Sequence, residues 1–107
     1  MRSELGNSQI DLMLLAVLEA GPSHGYGVIV ALRERSSGTF DLPEGTVYPA
    51  LHRLEAAGLV ASSRTTVSGR QRRTYMLTSR GRQALARRRE DWRRTANGVH
   101  AVLSATQ

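Results

Sequence analysis

The stretch GTVYPALHRLEAA, residues 45–57, predicts the helix that decides the fold. Its apolar side chains recur at helical spacing and predict one buried face, formed by Val47, Ala50, Leu51 and Leu54. Gly58 follows at the position after a helix where glycine is favoured. Because proline lacks an N–H, Pro49 suits only the first turn, so we expect the helix to begin near Gly45 or Thr46.

The opposite face of this helix is the candidate DNA-reading surface. It carries Gly45, Thr46, Tyr48, Pro49, His52 and Arg53. Thr46 and Tyr48 can donate to a phosphate near the helix N-terminus, where the helix dipole also favours an anion. His52 and Arg53 can reach either a base edge or a phosphate, and the sequence leaves both alternatives open. The alternative for the whole face is an ordinary polar surface in contact with solvent.

Two further helices are predicted before this one. Residues 8–20 begin at Ser8, with Asp11 as its reciprocal capping partner, and residues 23–35 begin at Ser23. The first helix is apolar nearly all round, since Leu12 and Leu15 point away from its main apolar face. We therefore expect a second subunit to cover part of that helix.

A two-stranded hairpin is predicted after the reading helix. Residues 59–66 and 72–78 are rich in β-branched and aromatic side chains and are joined by a turn at Ser68 and Gly69. Arg70, Arg72 and Arg73 lie at the tip of this hairpin. They can bind the phosphates of DNA, or they can simply be solvated. The helix order followed by a basic hairpin is typical of a winged helix-turn-helix.

The last helix is predicted from Thr78 or Ser79 to about residue 104. Its apolar side chains form a narrow seam typical of a coiled coil, which predicts a dimer interface of Leu85, Trp92, Ala96, Val99 and Leu103. At 1.5 Å per residue such a helix is roughly 40 Å long, longer than the domain beside it. The predicted fold is mainly α (α+β), with a winged helix-turn-helix domain at residues 8–78 and a dimerisation helix at residues 79–105.

Composition narrows the functional classes. The 107 residues have a net charge of +6, and all 15 basic residues are arginine, whose planar fork suits phosphates and base edges. Cysteine is absent, which excludes disulfides, thiolate metal sites and thiol nucleophiles. No paired histidines are spaced for a metal site, so we expect no metal and no cofactor. Paired buried carboxylates and a serine–histidine arrangement are not evident either, so we expect no enzymatic activity. Residues 1–7 lack the apolar core of a signal peptide, so a cytoplasmic protein is expected.

The sequence resembles the PadR-like transcriptional regulators over about residues 10–104. The resemblance is carried by residues 14–18, 21–22, 24–27, 45–55, 58–60 and 72–81. It extends to the small subgroup in which one long C-terminal helix supplies the dimer interface. The resemblance implies a homodimeric repressor that binds double-stranded DNA and is released by a small effector.

The resemblance also implies where an effector enters, which is a cleft between subunits beside a helix tryptophan. Trp92 matches that tryptophan, and Leu14, Leu85 and Ala96 are expected beside it. Trp92 can instead only pack the dimer, or it can do both. The expected effector is a planar aromatic or cationic compound, and a divalent metal ion is the less favoured choice. The competing function is a ligand- or metal-sensing, sequestering dimer that binds DNA incidentally.

Overall fold

A computed structural model describes residues 5–105. Residues 1–4 lie outside the described residues. They belong to residues 1–7, which were expected to lack the apolar core of a signal peptide. The elements in chain order are α1 Asn7–Glu19, β1 Ser23–His24, α2 Gly25–Arg35, α3 Glu44–Ala56, β2 Val60–Val67, β3 Arg70–Leu77 and α4 Ser79–Ser104. Within residues 5–105, no helix is both long enough and apolar enough to span a membrane.

The core is built around α1, which contacts α2, α3, α4 and β3. Leu14 and Leu15, on different sides of α1, are both 0% exposed. Leu15 therefore needs no second subunit to cover it, since it is buried within this chain, where α4 lies against α1. The expectation that a second subunit covers part of α1 stays a prediction. Leu12 remains only partly buried.

The helix starts differ from the predicted ones. The N-cap of α1 is Gly6, whose N–H donates to Gln9 Oε1 at 3.0 Å, so the predicted Ser8–Asp11 capping pair is wrong. Ser23 does not cap α2, because it belongs to β1 and pairs with Tyr75 of β3. This short strand has too few residues to show a period of two, which is why the sequence pattern did not reveal it.

Pro49 lies further into α3 than predicted. The helix begins at Glu44 after the N-cap Pro43, which places Pro49 in the second turn, not the first. The missing N–H leaves the Gly45 carbonyl without its helical partner. Gly45 is exposed, so water can satisfy that carbonyl. The helix therefore tolerates the proline because the affected turn faces solvent.

The wing is a regular hairpin. β2 and β3 pair antiparallel from Val60 opposite Leu77 to Val67 opposite Arg70, which makes both strands reach nearer the turn than predicted. The predicted turn is confirmed, and Ser68 and Gly69 both have positive φ, at 53° and 77°. That combination is the type I′ turn, whose twist matches that of paired strands. β1 adds a third strand on the other side of β3.

The start of α4 is fixed to the wing's base. Thr78 Oγ1 accepts from Gly81 N at 3.0 Å and donates to the Gly58 carbonyl at 2.7 Å, which confirms the predicted capping position. A Cβ on Gly81 would overlap the carbonyl oxygen of Leu59, the residue before β2, so the close approach of α4 to this segment requires glycine. Three helices, a small antiparallel sheet and a long last helix confirm the predicted winged-helix fold.

Candidate nucleic-acid interface

The outward surface of α3 carries the predicted reading residues. Pro49, His52 and Arg53 are exposed at its centre, while Thr46 and Tyr48 are half-buried at its two edges. The buried side of the same helix is formed by the predicted core residues, with Val47, Ala50 and Leu51 at 0% exposed and Leu54 at 2%. The two faces of α3 therefore divide as the sequence predicts.

Tyr48 is anchored at its edge of that surface. Its ring lies against Gly25, the first residue of α2, so closely that a Cβ there would overlap the ring. Glycine at this position lets α2 and α3 approach and fixes the direction of the phenol. Tyr48 is thus held at the junction of α2 and α3, and its ring has little freedom to change orientation.

Arg53 is held by a residue of α1. Its Nη2 donates to Asp11 Oδ1 at 2.8 Å. The Asp11 side chain is 16% exposed and the Arg53 side chain is 42% exposed, so the carboxylate is the more enclosed partner. Asp11 was predicted as a capping residue, and its ion pair with Arg53 was not predicted, because the two residues are 42 positions apart in the chain.

The wing presents arginines on both of its faces. The register places Arg70 and Arg72 on one face, and Arg64, opposite Arg73, on the other. All of them are exposed. Arg64 was missed in the sequence analysis, although strand alternation together with the hairpin register would have identified it.

A hydrogen-bond chain links the wing to α3. Arg73 Nη1 donates to Ser62 Oγ at 2.9 Å, and Ser62 Oγ donates to Glu55 Oε2 at 2.6 Å. Glu55 lies near the C-terminal end of α3. The chain therefore fixes the angle between the wing and the reading helix, so Arg73 serves both as a surface cation and as a tether.

The other face of the wing meets β1 at His24. Burial lowers the pKa of His24, and the positive charge of Arg72 lowers it further. His24 pairs with Thr74 of β3, which brings it to the same face of the sheet as Arg72. A neutral His24 therefore avoids adding a second positive charge beside Arg72.

A groove lies between α1 and α4. It has a volume of about 470 Å³ and is lined by Ser8, Gln9, Asp11, Leu12, Arg88, Asp91, Trp92 and Thr95. Trp92 is 46% exposed, so part of its ring is open to the groove and to solvent. Of the residues expected beside an effector, Leu14 and Leu85 lie in the core, at 0% and 1% exposed, and Ala96 is half-buried. Neither leucine offers surface to a ligand, so we leave both out of the proposed site.

The far half of α4 carries an exposed apolar surface, which we call the α4 stripe. It consists of Trp92, Val99, Val102 and Leu103, the last two 75% exposed. Val102 was missed by the predicted seam, which selected a narrower set of positions. Leu85 was predicted in that seam but packs inside its own chain, and we leave it out of the proposed interface.

Histidine and acidic side chains do not cluster in the described part of the chain. Residues 5–105 contain no group of three or more His, Asp or Glu side chains that could hold an ion. His24, His52 and His100 are separated on β1, α3 and α4. The acidic side chains Asp11 and Asp91 of the groove each pair with an arginine.

Comparison with known proteins agrees with this geometry. The profile of the transcriptional regulator PadR-like family matches residues 14–87. Transcriptional regulator Rv3488 of Mycobacterium tuberculosis is 43% identical over 74 residues, which are 69% of this chain and 69% of that protein.

Solved structures give the same result. A transcriptional regulator from Clostridium thermocellum superposes with a TM-score of 0.85 at 25% identity, covering 92% of this chain and 97% of that one. A PadR family transcription regulator from Clostridium difficile superposes with a TM-score of 0.79 at 33% identity, covering 89% and 98%. The chain therefore belongs to the PadR-like family of transcriptional regulators and is not an enzyme.

Proposed function

We propose that this chain is a DNA-binding repressor that recognises a palindromic operator as a homodimer and is released by a small effector. The observation that carries the proposal is the outward surface of α3, with Pro49, His52 and Arg53 exposed beside an arginine-bearing wing. The Glu55–Ser62–Arg73 chain ties the wing to that helix. A helix in the major groove with a wing on the adjacent backbone binds with both surfaces at once, so a fixed pair loses less conformational freedom on binding.

The α4 stripe supports the homodimer. Apolar side chains that are 51% to 75% exposed on the far half of a helix cost solvation free energy unless another surface covers them. A second copy brings an identical stripe, so a two-fold contact covers both at once. The same symmetry would hold two α3 helices about one turn of DNA apart, or ~34 Å.

The α1–α4 groove supports an effector site. Trp92 offers an aromatic face, and carboxylates and a guanidinium from Asp11, Asp91 and Arg88 line the same space. A planar aromatic or cationic compound can stack on the indole and use those polar groups for orientation. Trp92 belongs to both the groove and the α4 stripe. A ligand in the groove would therefore affect the dimer interface as well as α1.

The decisive experiment selects DNA from a random duplex pool with the full-length protein. We expect an inverted repeat with half-sites one helical turn apart, bound with two chains per duplex in sedimentation. Enrichment of no sequence, or of a single unpaired half-site by one chain, would contradict the proposal.

Substitutions then distinguish residues that recognise the DNA sequence from residues that bind only its phosphates. Arg72→Ala should weaken binding to all DNA alike and reduce the slope of log affinity against log salt by about one. Arg53→Ala should instead reduce discrimination between the selected site and unrelated DNA by roughly 1–3 kcal/mol for a lost base contact, and Tyr48→Ala should reduce that discrimination too. Arg87→Ala, an exposed arginine of α4, is the matched control for charge loss.

The groove also allows the competing function of a sequestering dimer. Titration of planar cations against Trp92 fluorescence distinguishes the two functions. A repressor should lose affinity for the selected DNA as the fluorescence changes, because binding free energies of two sites are linked reciprocally. Strong quenching with unchanged DNA affinity would favour sequestration.

A further inference from the structure

Asp11 belongs to two sites at once. Its carboxylate pairs with Arg53 on the outward surface of α3, and the same residue lines the α1–α4 groove beside Trp92. We propose that Asp11 is a positioning residue that orients Arg53 for DNA, and that a cationic group entering the groove lowers specific binding by taking this carboxylate from Arg53. The inference rests on the proposed function and adds a route of regulation to it.

The geometry indicates that Asp11 orients Arg53 for DNA and does not withdraw it from DNA. The bond from Arg53 Nη2 to Asp11 Oδ1, at 2.8 Å, engages one nitrogen of the guanidinium. Arginine has five N–H donors in a rigid fork, so donors remain for a phosphate or a base edge. A side chain already held in place loses less conformational freedom on binding. The Arg53 side chain is 42% exposed in the ion pair, so part of it remains accessible on the outward surface of α3.

The groove gives a ligand access to the same carboxylate. Asp11 and Ser8 lie one turn apart on α1 and both line the groove, opposite Trp92 of α4. The Asp11 side chain is 16% exposed, so part of its carboxylate stays open to a second cation from the groove. A ligand cation that pairs with Asp11 therefore competes with Arg53. Once released, Arg53 regains its rotamers and discriminates less between DNA sites.

The first test is Asp11→Asn, which removes the charge and keeps the shape. We expect the ratio of affinities for the selected site and for unrelated DNA to fall by about five- to tenfold, because an unoriented arginine reads a base poorly. Affinity for unrelated DNA should not fall, since a negative charge near the phosphates is removed. The matched control is Asp91→Asn, which changes the same groove but pairs with Arg94 of its own helix.

The second test places a cation in the groove as part of the chain. Ser8→Lys puts an ammonium group one turn from Asp11, where an ion pair can form. We expect it to lower the same affinity ratio by about threefold or more, while Ser8→Gln, of similar length and neutral, should not. In the Asp11→Asn background, Ser8→Lys should have no further effect on the ratio, so the double-mutant cycle isolates the contact.

The outcomes separate the two levels of the proposal. If the wild-type chain enriches no sequence, the proposed function fails. If it does enrich one, this inference is overturned when Asp11→Asn keeps the ratio within about twofold of wild type, or when it weakens both kinds of DNA in parallel. It is equally overturned when Ser8→Lys lowers the ratio as much without Asp11 as with it. Far-ultraviolet circular dichroism of each variant shows that the helices are retained.

Discussion

The two halves of α4 lie on one continuous helix, Ser79–Ser104, but have opposite surroundings. In the first half, Gly81, Ala84 and Leu85 are buried against the domain. In the second half, Val99 is 51% exposed and Leu103 is 75% exposed. The first half therefore completes the core of the chain, and the second half presents apolar side chains that the described residues leave largely exposed. The folding of one chain and the proposed pairing of two are thus separated along a single helix.

The largest effect is expected from Leu85→Ala in the first half. Leu85 is 1% exposed, so its truncation leaves a cavity and should lower the free energy of unfolding by about 2–5 kcal/mol. Urea denaturation at several protein concentrations measures this loss. Leu103→Ala makes the same chemical change at an exposed position. Its loss should be smaller and should depend on protein concentration, because that side chain stabilises the proposed dimer. If both variants lose the same free energy of unfolding at every protein concentration, the two halves of α4 do not differ in the way described.

An intermediate effect is expected from Val99→Glu in the second half. A carboxylate in the α4 stripe would be buried unpaired in the dimer, so the dissociation constant should rise by about thirtyfold or more, or ~2 kcal/mol. Sedimentation measures the change, and Trp92 emission should move to longer wavelength as the indole becomes exposed.

The matched control for Val99→Glu is Asn97→Glu. Asn97 is exposed on the opposite side of α4, so the added charge meets solvent and should leave association unchanged. Dimers that persist in Val99→Glu at wild-type affinity would show that the stripe is not the interface.

The smallest effect is expected at Arg89, where the two halves of α4 meet. Arg89 Nη2 donates to Glu19 Oε1 of α1 at 2.8 Å, and this hydrogen bond holds the pKa of Glu19 below its usual value. A lowered folded-state pKa stabilises the fold above the unfolded-state pKa, and the stabilisation is lost as pH falls through the folded-state pKa. Arg89→Gln should therefore lower stability slightly at pH 7 and not at all at a pH where Glu19 is protonated in both states.

Thermal unfolding of Arg89→Gln and wild type between acidic and neutral pH tests this. Arg93→Gln is the control, because its partner Glu90 lies on α4 itself and does not tie the helix to α1. A difference between Arg89→Gln and wild type that grows as pH falls would contradict the assigned role of Glu19.

Local patterns were enough to predict most elements. The spacing of Val47, Ala50, Leu51 and Leu54 identified both faces of α3, since a helix repeats every 3.6 residues whatever surrounds it. The Ser68–Gly69 turn and the Thr78 cap were likewise predicted, because both depend on residues within a few positions in sequence. The same reasoning failed at Pro49, where solvent exposure of the turn made an interior proline tolerable.

The sequence by itself determined which side chains form apolar faces, which side of α3 faces outward and that all basic residues are arginine. Only the tertiary structure decided how far each face is covered: Leu15 and Leu85 are buried in the core, at 0% and 1% exposed, while Val99 and Leu103 stay 51% and 75% exposed among residues 5–105. It also decided that Arg53 pairs with Asp11, 42 positions away, and that Asp11 borders the groove of Trp92. The physical reason is that periodicity reports a face of one element, whereas a contact requires the relative placement of two.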